Sequence, residues 1–444
     1  MAREVERLTE RFFQDRQRLG RVDLGATEFG VRGMMHKVGG ILMEQLLNSD
    51  HGGHRGQRIA CGGGHQAEFI DYRTKHLRTI LGDVQVRRAY YRCAPCGDGG
   101  GRGIIPKDHE LAIVGTSFSP GMRRLMVRVG AEEPFDRARE DLAELAGVVV
   151  QTKAVERITE AVGAAAEAAN QVERVLPLTA AKVHPVAATA RFYVAMDGTG
   201  VPAVARETEG RAGKAPDGKA RTREAKLGCV FTQTTFDAGG WPIRDPASTS
   251  YVGAIETAEA FGPRIACEAV RRGLRRAGTV IILGDGAPWI WNLAAAHFPG
   301  AQQVVDLYHA REHLEEIGRL AFGGGGQRGQ AWVAARRDEL DDGDIEVIVR
   351  EIRTLHSRDP KVSEELRTQA EYFETNKLRM AYKHFRARGF FVGSGVVEAG
   401  CKTVIGQRLK QSGMRWTVAG ANAIIALRCR LLGQRWEDLW RSAA

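Results

Sequence analysis

Phe192-Tyr-Val-Ala-Met-Asp-Gly-Thr-Gly200 is an apolar run broken by Asp-Gly, and Val280-Ile-Ile-Leu-Gly-Asp-Gly286 repeats that construction further along the chain. Both read as buried strands that end at an aspartate, Asp197 and Asp285. A third acid, Glu398, lies in Gly393-Ser-Gly-Val-Val-Glu398, where a helical pattern opens. Sites in open α/β sheets gather beyond the C-terminal ends of the strands. An Asp-Gly after a strand is commonly no more than a turn. Two of them in one α/β region, followed by Gly-Ser-Gly-x-x-Glu, point instead to a three-carboxylate centre. Magnesium takes hard oxygen ligands and prefers a few carboxylates plus phosphate oxygens and water. A pair of such ions can activate an attacking hydroxyl and stabilise the leaving oxygen of a phosphodiester displacement. Carboxylates about 4 Å apart repel by roughly 4 kcal/mol at an effective dielectric of 20. The cluster therefore calls for cations, or at least one of its members holds a proton.

Outward from these strands the pattern stays α/β over 188–320. It contains a basic, glycine-bearing loop at 203–226, a strand at Leu227–Thr235, an amphipathic helix over Ile255–Arg276, and a strand at Gln302–Asp306 leading into a helix. Residues 321–390 are charged and helical, and 391–444 return to core helices. Before the core, 1–57 carry helical patterning. Residues 58–110 hold a hairpin with alternation on both sides of Gly82-Asp83, then Cys93-Ala-Pro-Cys96 and a glycine-rich loop over Gly97–Gly103. Residues 111–187 read as helical. Phe135–Gly147 followed by Val149–Ile158 is laid out as a helix-turn-helix or as a plain helical hairpin.

Composition bounds the partners. The 444 residues are 43% hydrophobic and 27% charged, ordinary values for a soluble globular chain of several domains. The net charge of +10 (64 basic against 54 acidic residues) favours a polyanion. No apolar run is long enough to cross a bilayer, so no membrane partner is expected. The N-terminus carries acids and has no apolar signal core. Seven cysteines, an odd and mostly scattered set, favour a reduced interior.

Secondary candidates flank the acids. Lys402 stands four residues after Glu398, and Arg408, Lys410 and Arg415, with Trp416, extend a basic tract suited to a DNA backbone or to a solvated helix face. Asp306 and His309 share a helix face by their i, i+3 spacing. They serve DNA or support the metal site, or Asp306 is simply a helix N-cap.

Several long strings carry a family resemblance: Met196-Asp-Gly-Thr-Gly-Val-Pro202, Lys226–Gln233, Tyr251–Thr257, Leu283-Gly-Asp-Gly-Ala-Pro-Trp-Ile-Trp291, Val305-Asp-Leu-Tyr-His-Ala-Arg-Glu-His313, Gly393–Cys401 and Gly413–Thr417. On these the chain resembles insertion-sequence transposases of the ISKra4 family, related to the IS256/Mutator-like group, over nearly its whole length. The resemblance implies an α/β core of RNase H-like type with an all-helical insertion, preceded by a small β/zinc-ribbon-like module and a helical DNA-binding region. It implies a DDE enzyme in which Asp197, Asp285 and Glu398 hold two Mg²⁺ ions, with Mn²⁺ as a substitute. Asp306 and His309 match the Cys/Asp-x-x-His motif of the related group. The partners implied are DNA (terminal inverted repeats and target) and further copies of the chain, as a homodimer or higher oligomer in a synaptic complex. The setting implied is the bacterial cytoplasm, at the nucleoid. Cys93 and Cys96 look like half of a zinc ribbon, with Cys61 and His65 as the other half, His54 as a substitute, or two buried thiols as the plain alternative. Two other readings are a transposase-derived DNA-binding regulator without catalysis and a Mg²⁺-dependent phosphotransferase. The second is weakened because Ala195 and Thr199, not acids, stand two residues either side of Asp197.

Overall fold

The computed structural model describes residues 6, 7, 9, 10, 13, 14, 23–96, 102–174, 191–213, 215–323 and 326–441. Most of the glycine-rich loop, the expected helical end at 175–187, and most of 1–22 lie outside the described residues. The chain divides into two compact units, Met1–Thr159 and Glu160–Ala444. The division falls inside a helix, Thr152–Glu173. Among the described residues no helix is long and apolar enough to cross a membrane.

In the first unit β1 (Arg58–Ala60), β2 (Gln66–Thr79), β3 (Gly82–Cys93) and β4 (Arg102–Ile104) form an antiparallel sheet in that order. The hairpin expected around Gly82-Asp83 turns two residues earlier, at Ile80-Leu81, and Gly82 already pairs with Thr79. Thr79 decides this: its hydroxyl donates to the Gly82 carbonyl at 2.8 Å and accepts from the Leu81 N–H at 3.1 Å. Gly82 supplies the positive φ of 110°. Ala67, Ala89, Tyr91 and Cys93 are buried along one stretch of the sheet. β4 pairs with only one end of β3. Further along β3, the helix Leu24–Asn48 satisfies the strand edge. Glu44 accepts from the Gln85 N–H, and Asn48 accepts from the Arg87 N–H, both at 2.7 Å. Covering an edge in this way prevents stray strand pairing. The helices Phe135–Ala146 and Thr152–Glu173 are separated by a break at Gly147, which takes φ 68° as a helix stop.

The second unit holds a five-stranded sheet of β5 (Arg191–Pro202), β6 (Thr222–Gln233), β9 (Ser250–Ala254), β10 (Thr279–Gly284) and β11 (Gln302–Val305). A separate two-stranded ribbon, β7 (Thr235–Phe236) with β8 (Pro242–Ile243), lies between β6 and β9 in sequence. The large sheet runs β11-β10-β5-β6-β9 in space. β10 is parallel to β5 and β11 is parallel to β10, while β6 is antiparallel to both β5 and β9. The core strands are apolar almost throughout, as buried strands should be: Phe192 through Met196 and Ile281 through Leu283 are fully buried.

Three sequence expectations change here. Asp197 does not end its strand, because antiparallel pairing with β6 continues to Pro202↔Thr222. The basic loop is shorter than 203–226, since Thr222–Lys226 already belong to β6. The helix expected over Ile255–Arg276 covers Ala258–Arg271, capped by Thr257, and follows an edge strand, Ser250–Ala254. Helices fill the segment before Glu398: Gln327–Asp342, Ile345–Arg353, Pro360–Asn376 and Tyr382–Ala387. Small residues let helices approach the sheet. A Cβ on Gly228 would stand 2.6 Å from Ile265 of the helix Ala258–Arg271. A Cβ on Gly400 would stand 2.9 Å from Leu227 of β6 and 2.7 Å from Tyr251 of β9.

Candidate active site

The register of β5 and β10 positions the first two acids. Their last paired rung is Leu283↔Ala195. Asp285 and Asp197 each stand two residues beyond it, Asp285 just after β10 and Asp197 within β5, past the point where the parallel pairing stops. Neighbouring strands lie about 4.8 Å apart. The Glu398 helix, Gly395–Gly400, packs on the sheet through Gly400, which rests against Leu227. Leu227 is the residue opposite Asp197 in the β5/β6 ladder and so shares its face.

Electrostatics records the proximity. Burial raises the Asp197 pKa above the usual aspartate value; hydrogen bonds from the Cys401 thiol and the Gly198 N–H lower it, and the charges of Asp285 and Glu398 raise it further. The Gly198 N–H lies 2.6 Å from Asp197 Oδ1. One oxygen of each other acid is held by a neutral donor: Asp285 Oδ1 by the Ala287 N–H at 2.9 Å, and Glu398 Oε1 by the Ser394 hydroxyl at 3.0 Å. All three carboxylates are part-exposed. Hard oxygen donors that repel one another fit a divalent cation in kind. The three acids do not form a closed ligand cluster. Among the described residues, the group of side chains gathered closely enough to hold a metal is Cys61, His65, Cys93 and Cys96.

Asp306 serves the site from within. It is fully buried, and the N-cap alternative describes it. Its Oδ1 accepts from the His309 N–H at 2.8 Å, and its Oδ2 accepts from the Ser394 N–H. Its own N–H donates to the Gly284 carbonyl at 2.8 Å, next to Asp285. One residue thus ties together the segments that carry two of the acids. His309 is half-exposed, with Nδ1 at 3.3 Å from Glu312.

The basic tract is divided by packing. Lys402, Lys410 and Arg415 are exposed. Arg408 is fully buried, its guanidinium 5.1 Å from the Trp416 ring centroid and its Nη1 3.8 Å from Met414 Sδ. Trp416 is buried too, its indole N–H donating to the Leu409 carbonyl at 3.1 Å. These two are packed inside the fold, not on the exposed basic face. Lys402 does not keep the α-helical register with Glu398, because Cys401–Gly406 form a wider π-helical turn. Lys410 reaches the Asp197 strand, where its ammonium donates to the Thr199 hydroxyl. Cys401 and Tyr372 are the contacts sequence reasoning missed. The Tyr372 hydroxyl donates to the Asp285 carbonyl at 2.9 Å.

The Cys/His cluster has the geometry of a closed site. All four ligand atoms lie within 4.8 Å of one another. Cys61 Sγ is 3.6 Å from Cys96 Sγ and 3.5 Å from Cys93 Sγ, and His65 Nδ1 is 3.2 Å from Cys96 Sγ. Tetrahedral zinc with bonds of about 2.3 Å sets sulfurs roughly 3.8 Å apart, so the four side chains could hold a structural zinc. The Gly63 N–H and the Cys93 thiol pull Cys61 down to about 6, while Cys93 and Cys61 push Cys96 up to about 11. His54 is not a ligand here; it packs edge-on to Phe69 at 4.7 Å.

No family model matches the chain, and no curated protein matches it in sequence. Among solved structures, the Drosophila P element transposase strand transfer complex is similar to it at 9% identity, covering 75% of this chain and 83% of that one, with a TM-score of 0.25. A likeness that faint carries no argument about this chain.

Proposed function

We propose that this protein is an insertion-sequence DNA transposase of DDE type, and that Asp197, Asp285 and Glu398 are its catalytic acids. The observation that carries the reading is geometric: Asp197 and Asp285 stand two residues beyond the last rung shared by the parallel strands β5 and β10, and the Glu398 helix packs on Leu227, the residue paired with Asp197. The sheet supports an RNase H-like core. Its strands, numbered in chain order, lie 5-4-1-2-3, and only the second runs against the others. The strings on which the chain resembles ISKra4-type transposases support the family, and the excess of basic residues supports a DNA partner.

Bound divalent ions would supply activation of the attacking hydroxyl and stabilisation of the leaving oxygen. The chain's own part is to hold the acids ready. Gly198, Ala287 and Ser394 each fix one carboxylate oxygen by a neutral donor. Burial keeps competing water from much of Asp197, and Lys410, beside Thr199, is placed to meet a phosphate. Water attack would free a 3′-hydroxyl at the element end, and that hydroxyl would then attack target DNA. Two ends must meet, so a dimer or larger assembly is part of the proposal. So is zinc in the Cys61/His65/Cys93/Cys96 cluster.

Purified protein incubated with element-end DNA and Mg²⁺ tests this. Cleavage and strand transfer are expected in the native chain. Asp197→Ala and Glu398→Ala should each lower them by on the order of 10³-fold or more, the scale of losing a principal catalytic group, while DNA binding persists. Cleavage that survives either substitution would remove the assignment. DNA binding without cleavage under any metal would favour the regulator reading, and ATP turnover without DNA the phosphotransferase.

A further inference from the structure

The strands bring Asp285 to the sheet end, but a residue 87 positions later holds its backbone there. Tyr372 lies on Pro360–Asn376, within the helical segment that separates β11 from Glu398. Its hydroxyl donates to the Asp285 carbonyl at 2.9 Å. The next residue, Gly286, has φ 104°, and a Cβ there would stand 2.5 Å from the tyrosine ring. Backbone and ring therefore touch at a turn that only glycine accommodates. The face of the ring is fixed as well. His313 stacks on it with centroids 4.0 Å apart, and His313 Nδ1 lies 2.7 Å from Gln369 Oε1 on the helix that carries Tyr372. Tyr372 thus grips the Asp285-Gly286 turn, while the Ala287 N–H holds the Asp285 carboxylate.

We propose that Tyr372 is a positioning residue for Asp285, and that through it the helical segment 326–390 sets the metal affinity of the carboxylate centre. The proposal rests on the functional reading above. A helix 87 residues along the chain from Asp285 gains a direct hold on it. Displacing that helix would let the Asp285 turn relax and loosen the cation site. Partners behind a metal ligand of this kind typically change affinity or activity by about 10–100-fold when lost.

The experiment compares the full-length native chain with Tyr372→Phe, Asp285→Asn and Gln369→Ala. Mn²⁺ binding is followed by isothermal titration calorimetry without DNA, and thermal melts check folding. Tyr372→Phe keeps the ring and removes only the hydroxyl. It should weaken Mn²⁺ binding by on the order of tenfold and raise the Mg²⁺ concentration for half-maximal cleavage in proportion, with the KM for DNA and the melting temperature nearly unchanged. Gln369→Ala, which frees His313, should give a smaller shift in the same direction. Mn²⁺ affinity that depends on Asp285 but is unmoved by Tyr372→Phe would overturn the positioning role alone. Mn²⁺ binding indifferent to Asp285→Asn would overturn the carboxylate centre, and the positioning role with it.

Discussion

Glu256 and Asp197 are both substantially buried carboxylates in the same unit, and they are treated in opposite ways. Burial pushes Glu256 up, yet Arg264 and Arg174 more than offset it and hold the group below the usual glutamate value. Arg174 lies 2.7 Å from one oxygen and Arg264 Nε 2.8 Å from the other, and Arg264 also reaches Glu167. Asp197 is pushed up by burial and pushed further by two more carboxylates. At Glu256 the chain supplies guanidinium groups. At Asp197 it supplies neutral donors and more negative charge. On the proposed function, that gathering of acids is matched to a cation from outside.

The Cys/His cluster extends the contrast and gives the largest expected effect. Here too ionisable groups are gathered, but they are soft and closed around a point, as structural zinc requires. Metal binding contributes to folding free energy on a scale of about 10 kcal/mol in small zinc modules. Chelation, or Cys93→Ser, should abolish hydrogen-exchange protection across β1–β3 in the full chain and leave protection of β5 and β10 intact. Loss spread evenly over both sheets, or no loss at all, would break the distinction between the two clusters.

Next in size is the compensated acid. Arg264 is 3% exposed. Arg264→Met leaves Glu256 and Glu167 short of a partner and should cost about 3–5 kcal/mol, the scale of breaking a buried ion pair. Urea unfolding measures it. A cost below about 1 kcal/mol, ordinary for an exposed pair, would mean that Arg174 suffices.

A smaller effect tests how Glu398 is held. Ser394→Ala removes the hydroxyl that bonds Glu398 but keeps the backbone N–H that bonds Asp306. The cleavage rate should fall roughly ten- to a hundredfold, the worth of one hydrogen bond to a charged group. An unchanged rate would show that the Gly395–Gly400 helix alone sets the glutamate.

The α/β character, the β10 strand and the helical segment before Glu398 were legible because apolar runs and helical spacing are local signals. Asp306 as an N-cap was legible for the same reason. Ser250–Ala254 was not, because a five-residue edge strand is decided by its pairing with β6. Arg408 and Trp416 misled because a basic stretch is ordinarily solvated, whereas packing turned this arginine onto an indole. Tyr372 and Cys401 were invisible as partners of the acids: nothing in either neighbourhood of sequence marks what the fold brings against it.

The smallest effect separates the two kinds of buried acid by pH. Asp197 has a folded-state pKa above its usual 3.8, so between those two values the folded chain binds more protons than the unfolded one. Stability then falls as pH rises through that window. Glu256 works the other way: its folded pKa is lowered, so it contributes stability above the usual glutamate value of 4.5 and loses it as pH falls. Whole-protein melts mix both, but the difference between native chain and Asp197→Asn isolates the first. In metal-free buffer Asp197→Asn should melt higher than the native chain at neutral pH, with the gap closing as pH drops toward the aspartate range. Mg²⁺ should close the gap at neutral pH as well, because cations relieve the repulsion that the substitution removes. A gap that ignores both pH and Mg²⁺ would mean that Asp197 is an ordinary buried acid, and that the contrast with Glu256 is one of packing alone.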